Sequence, residues 1–159
     1  MKPGTALSVD DNEDDQFLLQ MAWEKGAVPL RLQMVCDGEK AIEYLSGLEN
    51  YGDRERFPMP DIILLDLKMP RKNGFEVLDW MNRELPVERS PVAVFSSSQD
   101  TADIKRAYKL GARWFLAKPV NYSELTQLTR LIGRWFQNPQ ENDLSGSLHY
   151  RVPGLPRTD

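Results

Sequence analysis

The sequence has one cysteine, Cys36, and one histidine, His149, among 159 residues. A lone cysteine excludes an intrachain disulfide and fits a reducing compartment, and the simpler reading of Cys36 is a small buried hydrophobe. No apolar run approaches the roughly 18 residues that cross a bilayer. The N-terminal Met1-Lys2-Pro3-Gly4-Thr5 has no signal-peptide core behind it. These absences predict a cytoplasmic protein with no membrane association. Positive charge is also scarce: 20 Lys and Arg against 24 Asp and Glu leave a net charge of −4. That argues against broad binding to nucleic acid or anionic membranes. Neither G-x-G-x-x-G nor a P-loop occurs, which weighs against a nucleotide-binding domain. No internal repeat is visible.

What is present is a globular composition, 41% hydrophobic and 28% charged, with alternating strand and helix patterns. Residues 6–9 read as a buried strand. Asn12 can cap a following helix, with Glu13, Asp14 and Asp15 in its first turn and Phe17, Leu18, Met21 and Ala22 as its apolar stripe. Residues 30–35 alternate as a second strand, and Asp37-Gly38 opens a short helix carrying Ala41, Ile42 and Leu45. Residues 48–60 read as an insertion loop, too long for an ordinary connection of about 2–6 residues. Residues 62–65 form the central strand, apolar on both faces. Gly74 opens a helix with Phe75, Leu78 and Met81 inward. Residues 92–95 and 114–117 are the last two strands. Helices over 101–110 and 123–136 bury Ile104, Ala107 and Tyr108 in one, and Leu125, Leu128, Leu131 and Ile132 in the other. Five strands alternating with five helices imply an α/β fold, a doubly wound parallel sheet with right-handed crossovers. Residues 137–159, rich in Pro and Gly, read as a flexible tail.

The polar groups at the strand ends carry the chemistry. Asp66 follows Ile62-Ile63-Leu64-Leu65, Asp10-Asp11 follows residues 6–9, Ser96 ends the fourth strand, and Lys118-Pro119 ends the fifth. A parallel sheet brings all of these to its carboxyl edge. Taken singly, an acidic pair reads as a helix N-terminal cluster and a lysine as a surface residue. Together they read as one site.

Val9-Asp10-Asp11-Asn12, Leu64-Leu65-Asp66-Leu67-Lys68-Met69-Pro70 with Asn73-Gly74, Val94-Phe95-Ser96-Ser97, and Lys118-Pro119 resemble the receiver domain of two-component response regulators. The intervals from Asp11 to Asp66, to Ser96 and to Lys118 are also the family's. The long loop before the third strand is similar to that of stand-alone receivers partnering phytochromes. The resemblance implies a flavodoxin-like fold of strand order 2-1-3-4-5, a receiver over 1–136 and a tail over 137–159.

Phosphoryl transfer needs a nucleophile, a cation and fixed donors for the equatorial oxygens. Asp66 is the candidate phosphoacceptor, giving an acyl phosphate. Asp11 and Asp66 can each offer a carboxylate oxygen to Mg²⁺ or Mn²⁺. By the resemblance, the Lys68 backbone carbonyl is a third ligand, Asp10 holds a metal-bound water, and the Lys118–Pro119 bond is cis. Lys118 and Ser96 would hold phosphoryl oxygens. Ser96 and Phe115 would form the switch, with the fourth helix, fifth strand and fifth helix as output surface. Trp114, Arg134 and Trp135 are candidates for a homodimer contact there, set against core packing. Ser96 stands where Thr is commoner. Lys68, two residues after the nucleophile, occupies a place where receivers vary.

His149 lies in the tail, so phosphate must come from a partner, a histidine kinase or phosphotransfer protein, with a bacteriophytochrome implied by the resemblance. The expected function is a single-domain phosphoacceptor switch acting by protein contact and not a turnover enzyme. The competing reading is a Mg²⁺-dependent aspartyl-phosphate hydrolase. Its common form needs an Asp two residues after the nucleophile as general acid, where this chain has Lys68.

Overall fold

The apolar run Ile62–Leu65 forms the central strand β3, with every residue buried. It is flanked by β1 (Gly4–Val9) and β4 (Val92–Ser96), with β2 (Leu30–Val35) and β5 (Trp114–Ala117) outermost. All pairings are parallel and the order is β2-β1-β3-β4-β5. This is the expected receiver topology. The computed structural model describes residues 3–85, 90–98, 100–140 and 144.

Five helices cover the sheet among these residues: α1 (Glu13–Lys25), α2 (Gly38–Ser46), α3 (Gly74–Glu84), α4 (Thr101–Lys109) and α5 (Tyr122–Gln137). Each begins with an Asn or Asp whose side chain accepts a backbone N–H of the first turn: Asn12, Asp37, Asn73, Asp100 and Asn121. Such caps satisfy donors that a helix leaves unpaired. Alternation along the strands sorts the core into two layers. Val9, Ile63, Leu65, Val94 and Phe115 pack under α2, α3 and α4. Ala6, Ile62, Leu64, Phe95, Trp114 and Leu116 pack under α1 and α5.

Helix α1 corrects the expected stripe. Phe17, Leu18 and Met21 are 62%, 42% and 43% exposed, whereas Leu19, Ala22, Trp23 and Gln16 face inward. The helix is rotated because Gln16 is its anchor. The Gln16 amide donates to the carbonyls of Ser8, Asp10 and Val35 and accepts from the Ser8 hydroxyl at 2.7 Å. A polar side chain satisfied in this way is tolerated inside.

Cys36 is exposed, not buried. It lies just past the end of edge strand β2 and before the α2 cap Asp37. Trp114 and Trp135 are both buried and meet edge-on with ring centroids 5.3 Å apart. They belong to the core and are not available for a homodimer contact. The 48–60 segment is ordered around a short 3₁₀ turn at Glu49–Tyr51. Tyr51 and Phe57 pack on Tyr44, and Arg54 caps α2 by donating to the carbonyls of Tyr44 and Leu45. Of the span read as a tail, Gln137 closes α5 and Leu144 is buried in the second core layer. Most of that span, including His149, lies outside the described residues.

The rotation of α1 is testable by chemical denaturation. Leu19→Ala should cost about 2–5 kcal/mol, as for buried leucines in general. Phe17→Ser should change stability by no more than about 0.5 kcal/mol, as expected for an exposed site.

Candidate phosphoacceptor and metal site

The carboxyl edge of the sheet assembles the site. Strand pairing extends one residue past β1 and β3: Asp10 N–H donates to the Val35 carbonyl and Asp66 N–H to the Val9 carbonyl. This carries both carboxylates to the rim side by side. Asp66 is only 8% exposed, Asp10 is buried and Asp11 is exposed. One carboxylate oxygen from each of Asp10, Asp11 and Asp66 falls in a group whose members lie within 4.8 Å of one another. An all-oxygen donor set of this kind fits a hard divalent cation that keeps part of its water shell.

Lys118 enters from the end of β5. Its backbone N–H donates to the Ser96 carbonyl at 3.0 Å. Its ammonium lies 2.6 Å from Asp10 Oδ2, 2.9 Å from Asp15 Oδ2 and 3.3 Å from Asp66 Oδ2. The expected cis bond before Pro119 is not found, as no peptide bond among the described residues is cis. The anchored backbone and the long aliphatic stem suffice to deliver the charge. Burial alone would lower the Lys118 ammonium, but the bonds to Asp10 and Asp15 and the charge of Asp66 outweigh it and hold it above the ordinary lysine value. For Asp66 the balance falls the other way. Burial pushes its carboxyl up from 3.8 to about 6, against the pull of Lys118 and with the Asp10 charge adding to the rise.

Ser96 is buried at the end of β4, where its hydroxyl accepts the Ser98 N–H at 3.1 Å. Phe115 is fully buried, and its N–H donates to the Tyr108 hydroxyl at 3.1 Å. Lys68 is exposed and lines an open cleft of about 490 Å³ with Asp11, Met69, Asn73, Phe75 and Arg106. Two of these contributors had no role at the level of sequence. Asp15 reads as one more anion in a helix first turn, yet it binds Lys118. Arg106 reads as a surface cation of α4, yet its guanidinium stacks 4.2 Å above the Phe75 ring at the cleft. Asp15 lies one helical turn beyond Asp11, a spacing that could have pointed to it. For Arg106 the sequence holds no such signal.

The raised Asp66 value fixes a sign. A carboxyl whose folded value exceeds its unfolded value destabilises the fold when ionised. The cost is full above about pH 6, fades as pH falls through that value, and is gone below 3.8. Asp66→Asn should therefore stabilise the metal-free protein at pH 8, by on the order of 1–3 kcal/mol. The gain should vanish near pH 3.5, as read by urea unfolding at the two pH values.

Comparison with known proteins bears on the family and the fold. The family described as the response regulator receiver domain matches residues 6–130. Response regulator Rcp1 of Synechocystis sp. is 30% identical over 128 residues, covering 80% of this chain and 85% of Rcp1. The solved Mn²⁺-bound form of Rcp1 superposes with a TM-score of 0.73 at 29% identity, covering 86% of this chain and 96% of that one. The phosphorylated cyanobacterial phytochrome response regulator RcpA gives 0.77 at 33% identity, with 87% and 96% covered. Response regulator RPA3017, in red light signaling of R. palustris, gives 0.78 at 30% identity, with 85% and 94% covered. Receiver domains bind divalent metal, accept phosphate from histidine kinases and serve as signalling switches. This chain belongs to the response regulator receiver domain family.

Proposed function

We propose that this chain accepts a phosphoryl group on Asp66 from the phosphohistidine of a partner kinase or phosphotransfer protein, in a Mg²⁺-dependent reaction, and signals by protein contact. The observation that carries this reading is the Lys118 ammonium 3.3 Å from Asp66 Oδ2, in the same cluster as the carboxylates of Asp10 and Asp11. Asp11, Asp66 and the Lys68 carbonyl would hold the cation, with Asp10 on one of its waters. Mn²⁺ would fit the same oxygens. When bound, the cation supplies charge that offsets the negative oxygens of the transferring group.

In the step itself, an Asp66 carboxylate oxygen bonds to phosphorus while the donor's nitrogen–phosphorus bond breaks and its electron pair stays on the imidazole. Lys118 is already oriented and desolvated, so its charge acts on the phosphoryl oxygens with little reorganisation. The Ser96 hydroxyl, which accepts the Ser98 N–H, would donate its own hydrogen to a phosphoryl oxygen. Phe115, one layer below, would register that shift toward an output surface formed by α4, β5 and α5. The receiver would occupy 1–136 and 137–159 would form a tail. Likeness to regulators named for phytochromes supports a bacteriophytochrome kinase as donor.

The test is incubation with acetyl phosphate and Mg²⁺ followed by mass spectrometry. One adduct of about 80 Da, removed by hydroxylamine, is expected for a carboxyl phosphate. Asp66→Asn should abolish it, and Lys118→Ala should slow its formation on the order of 10²-fold. Sustained turnover of p-nitrophenyl phosphate without a stable adduct would favour the hydrolase instead. Lys68→Ala should alter the lifetime of the adduct, measured by loss of the added mass after the donor is removed. An unchanged lifetime would deny Lys68 any part in dephosphorylation.

A further inference from the structure

Arg71 sits in the segment between β3 and α3 with φ of +67°, one of three non-glycine residues with positive φ among the described residues. Such a conformation costs on the order of 1 kcal/mol and persists where surroundings over-determine it. The surroundings here are specific. The Arg71 guanidinium reaches across to helix α2, where Nη1 donates to Asp37 Oδ2 at 3.1 Å. Asp37 is buried, and its other oxygen accepts the Lys40 N–H as the α2 cap. One carboxylate thus starts a helix and holds a loop. The neighbouring backbone is equally close. A Cβ on Gly38 would fall 2.1 Å from the Lys72 carbonyl oxygen, and one on Gly74 would fall 2.4 Å from the Asp66 carbonyl oxygen. Gly74 N–H also donates to the Leu67 carbonyl at 2.9 Å. The 66–74 segment is therefore fixed at its far end by Gly74 and in its middle by Arg71. Lys68, which carries the carbonyl assigned above to the cation, lies between Leu67, whose carbonyl accepts the Gly74 N–H, and Arg71.

We infer that the Arg71–Asp37 pair is a clamp that positions the Lys68 carbonyl, which makes Arg71 a positioning residue of the metal site although it touches no ligand atom. The inference rests on the reading of Lys68 as a ligand. Asp37 is buried and doubly bonded while the Arg71 side chain is 65% exposed, so the bridge acts by fixing geometry and not by its strength as an ion pair. Its effect falls on the cation: releasing the loop makes ordering of the carbonyl part of each binding event. Partners of metal ligands commonly act this way, and losing one costs roughly 10–100-fold in affinity.

The experiment is calorimetric titration of the full chain with Mg²⁺, beside thermal unfolding without metal. Arg71→Gly removes the guanidinium while relieving the positive φ, so the fold is kept. Asp37→Asn keeps the helix cap and removes the charge. Each should weaken Mg²⁺ binding roughly tenfold, the double variant should be no worse than either, and Arg71→Lys should recover part of the loss. Arg71→Gly that binds Mg²⁺ as tightly as wild type overturns the clamp, whatever its melting temperature. A purely structural bridge predicts that result. Wild type that binds no Mg²⁺, or binding untouched by Asp11→Asn, overturns the metal-site reading and the clamp with it. Loss confined to the Arg71 and Asp37 variants, with wild type binding, is the result expected here.

Discussion

One half-buried ammonium makes the carboxyl edge of this sheet tenable. Lys118 stands within hydrogen-bond range of Asp10, Asp15 and Asp66, and ionised carboxylates this close repel strongly in a poorly solvated setting. Even so, the cluster stays over-supplied with negative charge. Four acids, Asp11 included, face one lysine; burial raises the Asp66 carboxyl, and the Asp10 charge adds to the rise. A divalent ion held by these oxygens would offset much of that charge. The same all-oxygen, acidic donor set fits small, hard cations.

The scaffold holds this charge in place with few polar devices. Gln16 bridges three carbonyls of β1, β2 and the turn after β1, so the first turn of α1, with Asp15, is locked to the strands that carry Asp10. Helices α2 and α3 approach the loop after β3 so closely that only glycine fits at positions 38 and 74. Position, and not flexibility, is therefore the property these residues supply.

Strand order, the rim acids and Lys118 were legible because each follows a short apolar run, and parallel topology then dictates their convergence. Most of the inward faces of α3, α4 and α5 were legible for the same reason, as Phe75, Leu78, Met81, Ile104, Leu125, Leu128 and Ile132 recur at helical spacing and are buried. The face of α1 was not. A periodicity of apolar residues cannot see an inward glutamine, so Phe17, Leu18 and Met21 outvoted it. Asp15 was hidden in a run of acids whose local role at a helix start already explained it. Cys36 was misjudged by type: average burial favours an inward cysteine, while the strand end decides otherwise. For the tryptophans the sequence leaves core packing and an interface contact open, and the Trp114–Trp135 contact puts both in the core. The Arg71–Asp37 pair joins positions far apart in sequence and lies beyond any local pattern.

The solvent-facing thiol of Cys36 neighbours the carboxylate that grips Arg71, its sulfur 3.7 Å from Asp37 Oδ2. With no second sulfhydryl in the sequence, oxidative coupling can only tether separate molecules or attach an outside group. A single label placed there reports from the doorstep of the loop after β3, with no other cysteine to compete for the reagent.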